Sequence, residues 1–377
     1  MFRHYHYSCQ GESHKATNKV CQDFSLSSIS KNGLAIAIVC DGHGGDRYFR
    51  SDVGAKYAAE ITKQCVTTFV ENVDKGLFVG KPFTSEGCFD SDTGRKQSAI
   101  DKALRQLFSS IIFQWNTKIT SHAGSTPISE WERENVEAKY LDALVNGLSL
   151  EKIYGCTLMA YVQTPDYWFA FHLGDGKCVS FNEDPIWQEP IPWDDRCFLN
   201  KTTSLCDSNA INEFRYCYEG DGSYPIAIFL ASDGLDDSFG EITNQVNFYI
   251  QVLKMLVTDG KKATEDSIIE TLPQLSKIGS KDDMSIAFIY DEKRLKNYML
   301  QLINYQIDLV KDELNILSSR VATLKDTLNN LPKDKQIEIN YAEKDIEKAE
   351  QARVKQLLKY DILMQQLSLA FQNSCDK

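Results

Sequence analysis

AIAIVCDGHGG, residues Ala35–Gly45, joins an apolar run to a glycine-rich turn. The small and β-branched apolar residues of the run predict a buried β-strand. The three glycines that follow allow a sharp turn and a close approach of the backbone to a ligand. Asp41 and His43 lie in this turn, where a carboxylate and an imidazole could serve as a metal ligand and a proton donor. A simpler interpretation is a turn in which Asp41 caps the next helix, and this stretch alone favours neither.

Acidic residues recur where other predicted strands begin or end, in the local sequences CQDF, LGDGK, ASDGLDDSF and SKDDMS. If these strand ends meet at one edge of a sheet structure, the carboxylates form a cluster whose mutual repulsion requires bound cations. An oxygen-only ligand set indicates Mg²⁺ or Mn²⁺ rather than Zn²⁺. Each position taken singly is also compatible with a solvated turn. The five positions are Asp23, Asp41, Asp175, Asp233 and Asp282.

The composition predicts a globular protein without a membrane span or a secretion signal. Of the 377 residues, 42% are hydrophobic and 25% are charged, which suits one large domain with an appendage, or two domains. No apolar run approaches the roughly 20 residues of a membrane span, and MFRHYHYSCQ at the start has no apolar signal core. Eleven cysteines without a C-x-x-C spacing favour reduced thiols and a cytoplasmic location. The net charge of −12 disfavours nucleic-acid binding.

The C-terminal region differs from the rest of the chain in charge and in pattern. Residues 291–377 contain 14 basic and 14 acidic residues, whereas residues 1–290 contain 27 basic and 39 acidic ones. Apolar residues at heptad a and d positions run from Leu300 to Leu331, and the pattern resumes after Pro332. We therefore predict an antiparallel helical hairpin or coiled coil, with an amphipathic helix folded onto the domain as the alternative. Beyond a slip near Arg353, the predicted seam positions are Leu357, Tyr360, Met364, Leu367 and Phe371.

Two segments before residue 290 are predicted to be irregular. Gly76–Gly94 is rich in Gly, Ser, Asp and Thr, which is typical of a mobile loop. Asp184–Tyr224 contains clusters of Pro and Trp and is interpreted as an irregular flap. Between these segments, Tyr154–Gln163, Tyr167–Leu173 and Lys177–Phe181 predict a three-stranded meander.

The motifs, taken together, resemble a known enzyme family. DGHGG, GCTLMAYV…FAFHLGDGK, FLASDGLDD and SKDDMSIAF, in this order and at these intervals, are similar to those of the metal-dependent serine/threonine protein phosphatases of the PPM (type 2C) family. The resemblance covers about residues 5–290. It implies an α+β fold, a four-layer α-β-β-α sandwich of two antiparallel sheets flanked by helices. We thus predict a PPM-type phosphatase domain over residues 1–290 and a helical appendage over residues 291–377.

The resemblance also implies a metal centre of two or three Mg²⁺ or Mn²⁺ ions. The residues that match the family's dinuclear site are Asp41, which bridges the ions, the Gly42 carbonyl, Asp233, Asp282 and, through a metal-bound water, Asp23. The residues that match the carboxylates of its third metal site are Asp175 and Asp237.

Such a centre is expected to hydrolyse phosphate esters. Two metal ions about 4 Å apart lower the pKa of a bridging water, orient it in line with phosphorus and neutralise the transferring phosphoryl group. The leaving serine or threonine oxygen then needs a proton, and His43 is next to the site and matches the family's proposed general acid. Asp41 and Asp233 complete the predicted catalytic set. The alternative for His43 is that it only stabilises its turn.

Three positions depart from the family pattern. Gln22-Asp23 stands where a Glu-Asp pair is common, so the second metal is expected to bind more weakly. Asn18 stands near the position of the family's phosphate-binding arginine and cannot pair with phosphate bidentately. Asp283, where asparagine is usual, is expected to add charge beside Asp282. The candidate substitutes for the arginine, each otherwise a solvated loop residue, are His14, Lys15 and Lys19.

Two functions are compatible with these observations. The first is an active protein phosphatase in signalling, acting on phosphoserine or phosphothreonine. The second is a catalytically weak or silent phosphatase-fold module that binds partners through its helical region. A silent module would be free to lose its carboxylates, yet all of them are present, which favours the enzyme. Residues 291–377 are expected to self-associate or to bind an adaptor, and neither nucleic acid nor membrane is an expected partner.

Overall fold

The first 295 residues are built around two antiparallel β-sheets. The structure is a computed structural model that describes residues 1–88, 97–197 and 201–375, and it contains two compact units, Met1–Leu295 and Lys296–Lys377. The strands are β1 (Phe2–Cys9), β2 (Phe24–Ile29), β3 (Ala35–Cys40), β4 (Thr84–Glu86), β5 (Leu158–Gln163), β6 (Trp168–Leu173), β7 (Lys177–Phe181), β8 (Trp187–Gln188), β9 (Arg215–Glu219), β10 (Ala227–Ala231) and β11 (Met284–Asp291). The α-helices are α1 (Glu12–Ala16), α2 (Ser51–Asn72), α3 (Ala99–Ser125), α4 (Glu130–Asn135), α5 (Ala138–Val145), α6 (Leu150–Ile153), α7 (Ala210–Glu213), α8 (Asp233–Phe239), α9 (Ile242–Thr258), α10 (Lys261–Ile278), α11 (Glu292–Asn330) and α12 (Gln336–Cys375).

Among the described residues, every strand pair in the two sheets is antiparallel. One sheet has the order β1-β11-β10-β7-β8, and the other has the order β2-β3-β5-β6-β9-β4. The chain therefore alternates between the sheets several times before β11 closes the first one. This arrangement confirms the predicted α+β class with two antiparallel sheets flanked by helices. The predicted three-stranded meander is wrong, because β5 and β6 pair in one sheet whereas β7 pairs with β10 in the other.

Strand β3 shows why the sheets lie between helical layers. Its alternate residues Ala35, Ala37 and Val39 pack between the sheets, in a core shared with Ile228 and Leu230 of β10. The intervening residues of β3 face the other way, into a core formed with α2 and α3. Because both faces are covered, the strand is a continuous apolar run rather than an alternating one. On the opposite side of the sandwich, β10 contacts α9, where Phe229 stacks on Tyr249 with ring centroids 4.3 Å apart.

The segments that the sequence predicts to be irregular contain regular structure. Strand β9 lies inside the expected flap, Asp184–Tyr224, and pairs with both β6 and β4. Strand β4 lies inside the expected loop, Gly76–Gly94, of which residues 89–94 fall outside the described residues. The prediction of a wholly irregular flap is wrong because β9 is a short strand buried by the sheet and is surrounded by turn-rich sequence.

The C-terminal unit is an antiparallel pair of helices, α11 and α12, joined at residues 331–335. Ile303, Ile307 and Val310 near the start of α11 pack on Leu363 near the end of α12. Farther along the pair, Lys325 Nζ lies 2.8 Å from Glu350 Oε1. The predicted helical hairpin is therefore present, whereas the coiled-coil description stays a prediction.

The register of α12 differs from the predicted one. The expected seam positions Leu357, Met364 and Phe371 are 44%, 41% and 50% exposed, and the less exposed positions follow heptad spacing through Arg353 and Gln356 without a slip. The slip was inferred because two polar residues occupy seam positions. These less exposed positions are Ile339, Ala342, Ile346, Ala349, Arg353, Gln356, Tyr360, Leu363, Leu367 and Ala370.

Apolar side chains also lie outside this seam. Val354, Leu358, Ile362 and Leu369 on α12 are exposed. Among the described residues, every helix is too short or too polar to cross a membrane. The four exposed side chains on α12 leave apolar surface on the hairpin.

Candidate metal centre and catalytic residues

Strand register brings the predicted acidic residues to one end of the sandwich. In the second sheet Phe24 is paired with Cys40, so the residues next to them, Asp23 and Asp41, are neighbours across β2 and β3. In the first sheet Ala231 is paired with both Lys177 and Ile286. Just beyond the neighbouring ends of these three adjacent strands lie the acidic residues Asp175, Asp233 and Asp282.

Side chains from the two sheets meet at this end. The carboxyl groups of Asp41 and Asp233 lie within hydrogen-bonding reach of each other, one from each sheet. Asp23 accepts a hydrogen bond from the Ser232 hydroxyl, which also links the sheets. Asp237, one turn along α8 from Asp233, adds negative charge beside the group. The carboxylates predicted as metal ligands are therefore one cluster.

The electrostatics of the cluster oppose ionisation of its members. Burial, followed by repulsion among the carboxylates, raises the pKa values of Asp23, Asp41 and Asp282. Burial likewise raises the pKa of Asp233, although its hydrogen bond with Asp41 works in the opposite direction. Burial and the charge of Asp233 raise the pKa of Asp175 to about 6. The protein alone therefore does not stabilise this concentration of negative charge.

The residues present fit bound divalent cations. In the described part of the chain, no lysine or arginine forms an ion pair with any of the six carboxylates, and Asp23 Oδ2 is buried without a hydrogen-bond partner. No three of these side chains place ligand atoms within 4.8 Å of one another among the described residues. Such spacing suits several ions that share ligands with water better than one ion held by protein alone. Oxygen donors of this kind are preferred by Mg²⁺ and Mn²⁺.

A second group of ligand-type side chains joins the flap to the segment after β4. Cys88, Asp194 and Glu213 do place their ligand atoms within 4.8 Å of one another. However, the guanidinium of Arg196 is bonded to all three, with Nη2 2.7 Å from Cys88 Sγ and 2.9 Å from Asp194 Oδ2. The arginine already supplies the positive charge there, so this group does not need a metal ion.

The turn that carries Asp41 is fixed by backbone contacts. Asp41 N–H donates to Thr157 Oγ1 at 2.9 Å, and Thr157 N–H donates to the Asp41 carbonyl at 2.8 Å. A Cβ at Gly42 would lie 2.3 Å from the Gln22 carbonyl oxygen. Residue 42 must therefore be glycine for the loop to pack this closely, which places the Gly42 backbone directly after the central carboxylate.

His43 follows in the same turn and is held on two sides. Its Nε2 lies 2.7 Å from Ser204 Oγ, and its ring packs edge-on against Tyr48 at 4.7 Å. Ser204 donates its own hydroxyl hydrogen to the Cys156 carbonyl, so this network assigns the hydrogen to His43 Nε2. Burial lowers the pKa of His43 to about 4. The imidazole is consequently neutral near pH 7 in the free protein, with Nδ1 left to take up a proton.

His14 and Asp283 form a hydrogen-bonded pair beside the cluster. Asp283 accepts hydrogen bonds from His14 Nδ1 at 2.9 Å and from the N–H groups of Gly11 and Gln22, both at 2.6 Å. Burial opposes ionisation of Asp283, but these donors outweigh it and lower its pKa, and the same bond raises the pKa of His14. Asp283 therefore carries a negative charge, which raises the pKa values of Asp23 and Asp282 and agrees with the expectation that it adds charge beside Asp282.

The side-chain amide of Gln22 is also held by hydrogen bonds to other residues. Its amide nitrogen donates to the His43 carbonyl at 3.1 Å and to Ser51 Oγ at 2.5 Å, whereas its Oε1 is buried without a partner. The amide therefore ties the segment before Asp23 to the turn after Asp41. Its Oε1 remains able to accept a hydrogen bond from a water molecule.

A profile of the protein phosphatase 2C family matches residues 10–272, which is more than half of the chain. The chain belongs to the protein phosphatase 2C family. This membership agrees with the resemblance noted from the motifs and with the two-sheet fold. A search of curated protein sequences finds no match.

Solved structures of several phosphatases are similar to this protein phosphatase 2C chain. A serine/threonine phosphatase from Staphylococcus aureus is 14% identical, with 77% of this chain and 95% of that chain covered and a TM-score of 0.43. The catalytic domain of the phosphatase PstP in complex with two manganese ions is 14% identical, with 77% and 99% covered and a TM-score of 0.43. A C. elegans sex determining protein is 13% identical, with 79% and 67% covered and a TM-score of 0.47. At these identities the activity of this chain has to be argued from its own residues.

The candidates for binding the substrate phosphate in this protein phosphatase 2C chain already have protein partners. His14 binds Asp283, as described above. Lys19 Nζ donates to the Gly44 carbonyl at 3.0 Å, and Lys15 Nζ lies 3.8 Å from Glu12 on the surface. Asn18 has a backbone φ of 54°, in the left-handed region. Lys15 has the weakest contact of the three, so it is the one most easily redirected to a phosphate.

One buried functional group near Asp175, the Arg215 guanidinium, has no recognisable signal in the sequence. The guanidinium of Arg215, which is 1% exposed, donates to the carbonyls of Gly174 and Pro192 and lies 3.1 Å from His172 Nδ1. Arg215 therefore holds the turn before Asp175 and the flap together. A lone arginine at the start of a short strand has no motif that would have identified it.

Proposed function

We propose that this chain is a metal-dependent phosphatase that hydrolyses phosphoserine and phosphothreonine in proteins. The observation that carries the proposal is the carboxylate cluster without a compensating basic side chain, which is costly to the fold unless cations bind. Membership of the protein phosphatase 2C family supports the reaction class. Residues 1–290 would form the phosphatase domain.

The proposed ligands follow the geometry of the two sheets. When bound, two Mg²⁺ or Mn²⁺ ions would supply an activated water and neutralise the phosphoryl group. Asp233 and Asp282 from the first sheet and Asp41 and the Gly42 carbonyl from the second would hold them. Asp23, whose Oδ2 has no partner, would orient a metal-bound water. Two carboxylates would hold a third ion, namely Asp175 and Asp237.

His43 is the proposed general acid for the leaving oxygen. Because its pKa is about 4 in the free protein, it needs the negative charge of a bound phosphate to become protonated. Ser204 fixes the ring through Nε2, so the transferable proton would sit on Nδ1. His14, Lys15 or Lys19 would contact the phosphate in place of the missing arginine, at the expense of the partners they have now.

A second candidate is a catalytically weak or silent module that acts mainly by binding. It is favoured by Asn18 at the position of the arginine and by the protein partners of the three replacement candidates. The complete set of carboxylates favours the active enzyme instead.

The test measures hydrolysis of an aryl phosphate and a phosphothreonine peptide by the full chain, with Mn²⁺, Mg²⁺ or chelator. We expect activity with metal and none with chelator. Asp233→Asn removes one negative ligand without changing size and should lower kcat more than tenfold at saturating Mn²⁺. Asp142→Asn, which removes an exposed carboxylate on α5, should leave kcat unchanged. Retention of more than a tenth of kcat by a folded Asp233→Asn protein would contradict the assignment, and absence of metal-dependent activity in the parent would favour the silent module.

The helical region is proposed to mediate self-association or adaptor binding. Its support is the apolar outer face of α12, defined by Val354, Leu358, Ile362 and Leu369, on a segment with balanced charge. We further propose that the protein acts in signalling in the cytoplasm, and that neither nucleic acid nor membrane is a partner.

This proposal can be tested by the mass of the full chain in solution. We expect an oligomer that dissociates when Ile362→Glu and Leu369→Glu are combined. Ile278→Glu, at an exposed apolar position on α10, is the matched control and should leave the oligomer intact. A monomeric parent would contradict self-association.

A further inference from the structure

A cavity of about 560 Å³ lies beside the carboxylate cluster. Its walls come from the segment after α1, the start of α2, the end of α3 and helix α4. Its volume is within the range of roughly 300–1,000 Å³ that is typical of ligand sites. The carboxylates of the cluster lie outside these walls, whereas Asn18 and the candidate phosphate contact Lys19 belong to them, so the cavity adjoins the candidate site.

The cavity shares residues with the turn that carries the candidate catalytic groups. Gln22 lines it and directly precedes Asp23 in the chain. Gly45 and Asp46, which end the glycine-rich turn, line it as well. Lys19, another wall residue, donates to the Gly44 carbonyl at 3.0 Å. Because the cavity adjoins the turn that carries Asp41 and His43 and an extended peptide advances about 3.3 Å per residue, a substrate held at the cluster could place a nearby residue of its own chain in this cavity.

The wall is mainly apolar. Phe49 and Val53 of the α2 region face Trp131 and Val136 of the α4 region across it. Trp131 is 37% exposed, and Val20 at the rim is 59% exposed. Covering these side chains with an apolar group of a ligand would be favourable, because it removes apolar surface from water.

The charged wall residues are largely paired with each other. Arg50 donates from Nε and Nη2 to the two carboxylate oxygens of Glu132, at 2.5 Å and 3.1 Å. Lys19 lies 3.8 Å from Asp46. Asp52 leaves the wall acidic on balance, which disfavours an acidic guest. The cavity therefore offers a ligand apolar contact area and, at Asp52, a single carboxylate without an ion-pair partner among the described residues.

We propose that this cavity binds a large apolar side chain of the phosphoprotein substrate, two to four residues from the phosphorylated serine or threonine. The proposal rests on the proposed phosphatase function and gives it a sequence preference. The buried side chain would cover Trp131 and Val20, as aromatic residues in protein interfaces are often covered. Full burial of a leucine or phenylalanine side chain corresponds to roughly a 10- to 100-fold gain in affinity.

The experiment uses the full chain and a series of phosphothreonine peptides. Each peptide has alanine around the phosphothreonine except for one leucine or phenylalanine, moved from four residues before it to four residues after it. We expect kcat/KM to rise roughly 10- to 100-fold at one or two positions, mainly through a lower KM. A flat series would overturn the proposal.

Two variants locate the preference in the cavity. Trp131→Ala removes an apolar wall, and Asn135→Phe fills the cavity from an exposed position on α4. Each should reduce the preference to less than threefold and leave aryl phosphate hydrolysis unchanged. Phe113→Ala, an exposed aromatic on α3 that does not line the cavity, should change neither. A preference that survives in both folded cavity variants would also overturn the proposal.

A binding measurement separates this proposal from the proposed function. Calorimetry with a nonhydrolysable phosphonate peptide compares the preferred apolar residue with alanine at the same position. If aryl phosphate is not hydrolysed, the proposed function fails, and the binding difference alone decides the cavity assignment. Equal affinity of the two phosphonate peptides would overturn it, and a 10-fold or larger difference that Trp131→Ala abolishes would support it.

Discussion

Replacing Asp175 by asparagine should stabilise the metal-free protein while weakening its response to metal. The pKa of Asp175 is raised from 3.8 to about 6, first by burial and then by the charge of Asp233. A raised folded-state pKa contributes stability below pH 4 that is lost as the pH rises through 6. The loss at pH 8 is about 3 kcal/mol, since each tenfold change in proton affinity corresponds to about 1.36 kcal/mol. Asparagine does not ionise and avoids this loss.

The measurement is thermal unfolding in chelator at pH 8 and pH 5. At pH 8 the gain of about 3 kcal/mol corresponds to a rise in Tm of roughly 5–10 °C. At pH 5 about half of the gain should remain, because Asp175 is then largely protonated in the folded state. Asp142→Asn, which removes an exposed carboxylate, should shift Tm little at either pH. Addition of Mn²⁺ should raise Tm more in the parent than in Asp175→Asn. A lower Tm of the variant in chelator at pH 8, or an equal gain at both pH values, would refute the assumed repulsion.

Two further predictions concern the substrate. His43→Ala should lower kcat about 10²–10⁴-fold on a phosphothreonine peptide and much less on an aryl phosphate, whose leaving group needs no proton; equal losses on both would show that His43 only stabilises its turn. Asn18→Arg should lower KM by restoring a bidentate phosphate contact, and Asn18→Gly, which keeps the left-handed backbone, controls for the loop. An unchanged KM in Asn18→Arg, together with a raised KM in Lys15→Ala, would show that a lysine already holds the phosphate.

The fold could be predicted from the sequence where one pattern determined both faces of an element. The apolar run of β3 implied burial on two sides, and the sandwich places it between a sheet and a helical layer. Strand β9 could not be predicted in this way, because its five residues RYCYE lie in a segment rich in turn residues. Its position depends on pairing with β6, which is a contact between segments far apart in sequence.

The arrangement of the candidate site can be predicted from the sequence for those residues that lie at strand ends. Register alone places Asp23 beside Asp41, once Phe24 pairs with Cys40. The partners of the loop residues were not recoverable, because they come from distant segments. His14 was interpreted as a phosphate contact, whereas its ring is bonded to Asp283, 269 positions away. Polar pairs of this kind leave no periodicity in the sequence.

The hairpin shows the same limit in a helical context. The heptad spacing of apolar residues predicts both helices. It does not predict the seam of α12, because two of the seam positions are polar. Arg353 and Gln356 occupy seam positions and keep Nε and Oε1, respectively, buried without a partner. Buried polar atoms without a partner cost stability. Because Arg353 and Gln356 occupy the seam, the neighbouring apolar residues of α12 lie outside it and are exposed. The apolar heptad pattern is interrupted at these two residues, although the buried seam of the helix continues through them.

The carboxylate cluster has a structural consequence for the rest of the molecule. Side chains that repel one another stay together only if the backbone cannot relax. Glycine at residue 42 allows the close contact with the Gln22 carbonyl, and at residue 234 a Cβ would lie 2.0 Å from the Asp283 carbonyl oxygen. Asp283 in turn binds the N–H of Gln22. The two segments that carry the proposed metal ligands are thereby connected through backbone contacts, so we expect the cluster to keep its arrangement without bound cations.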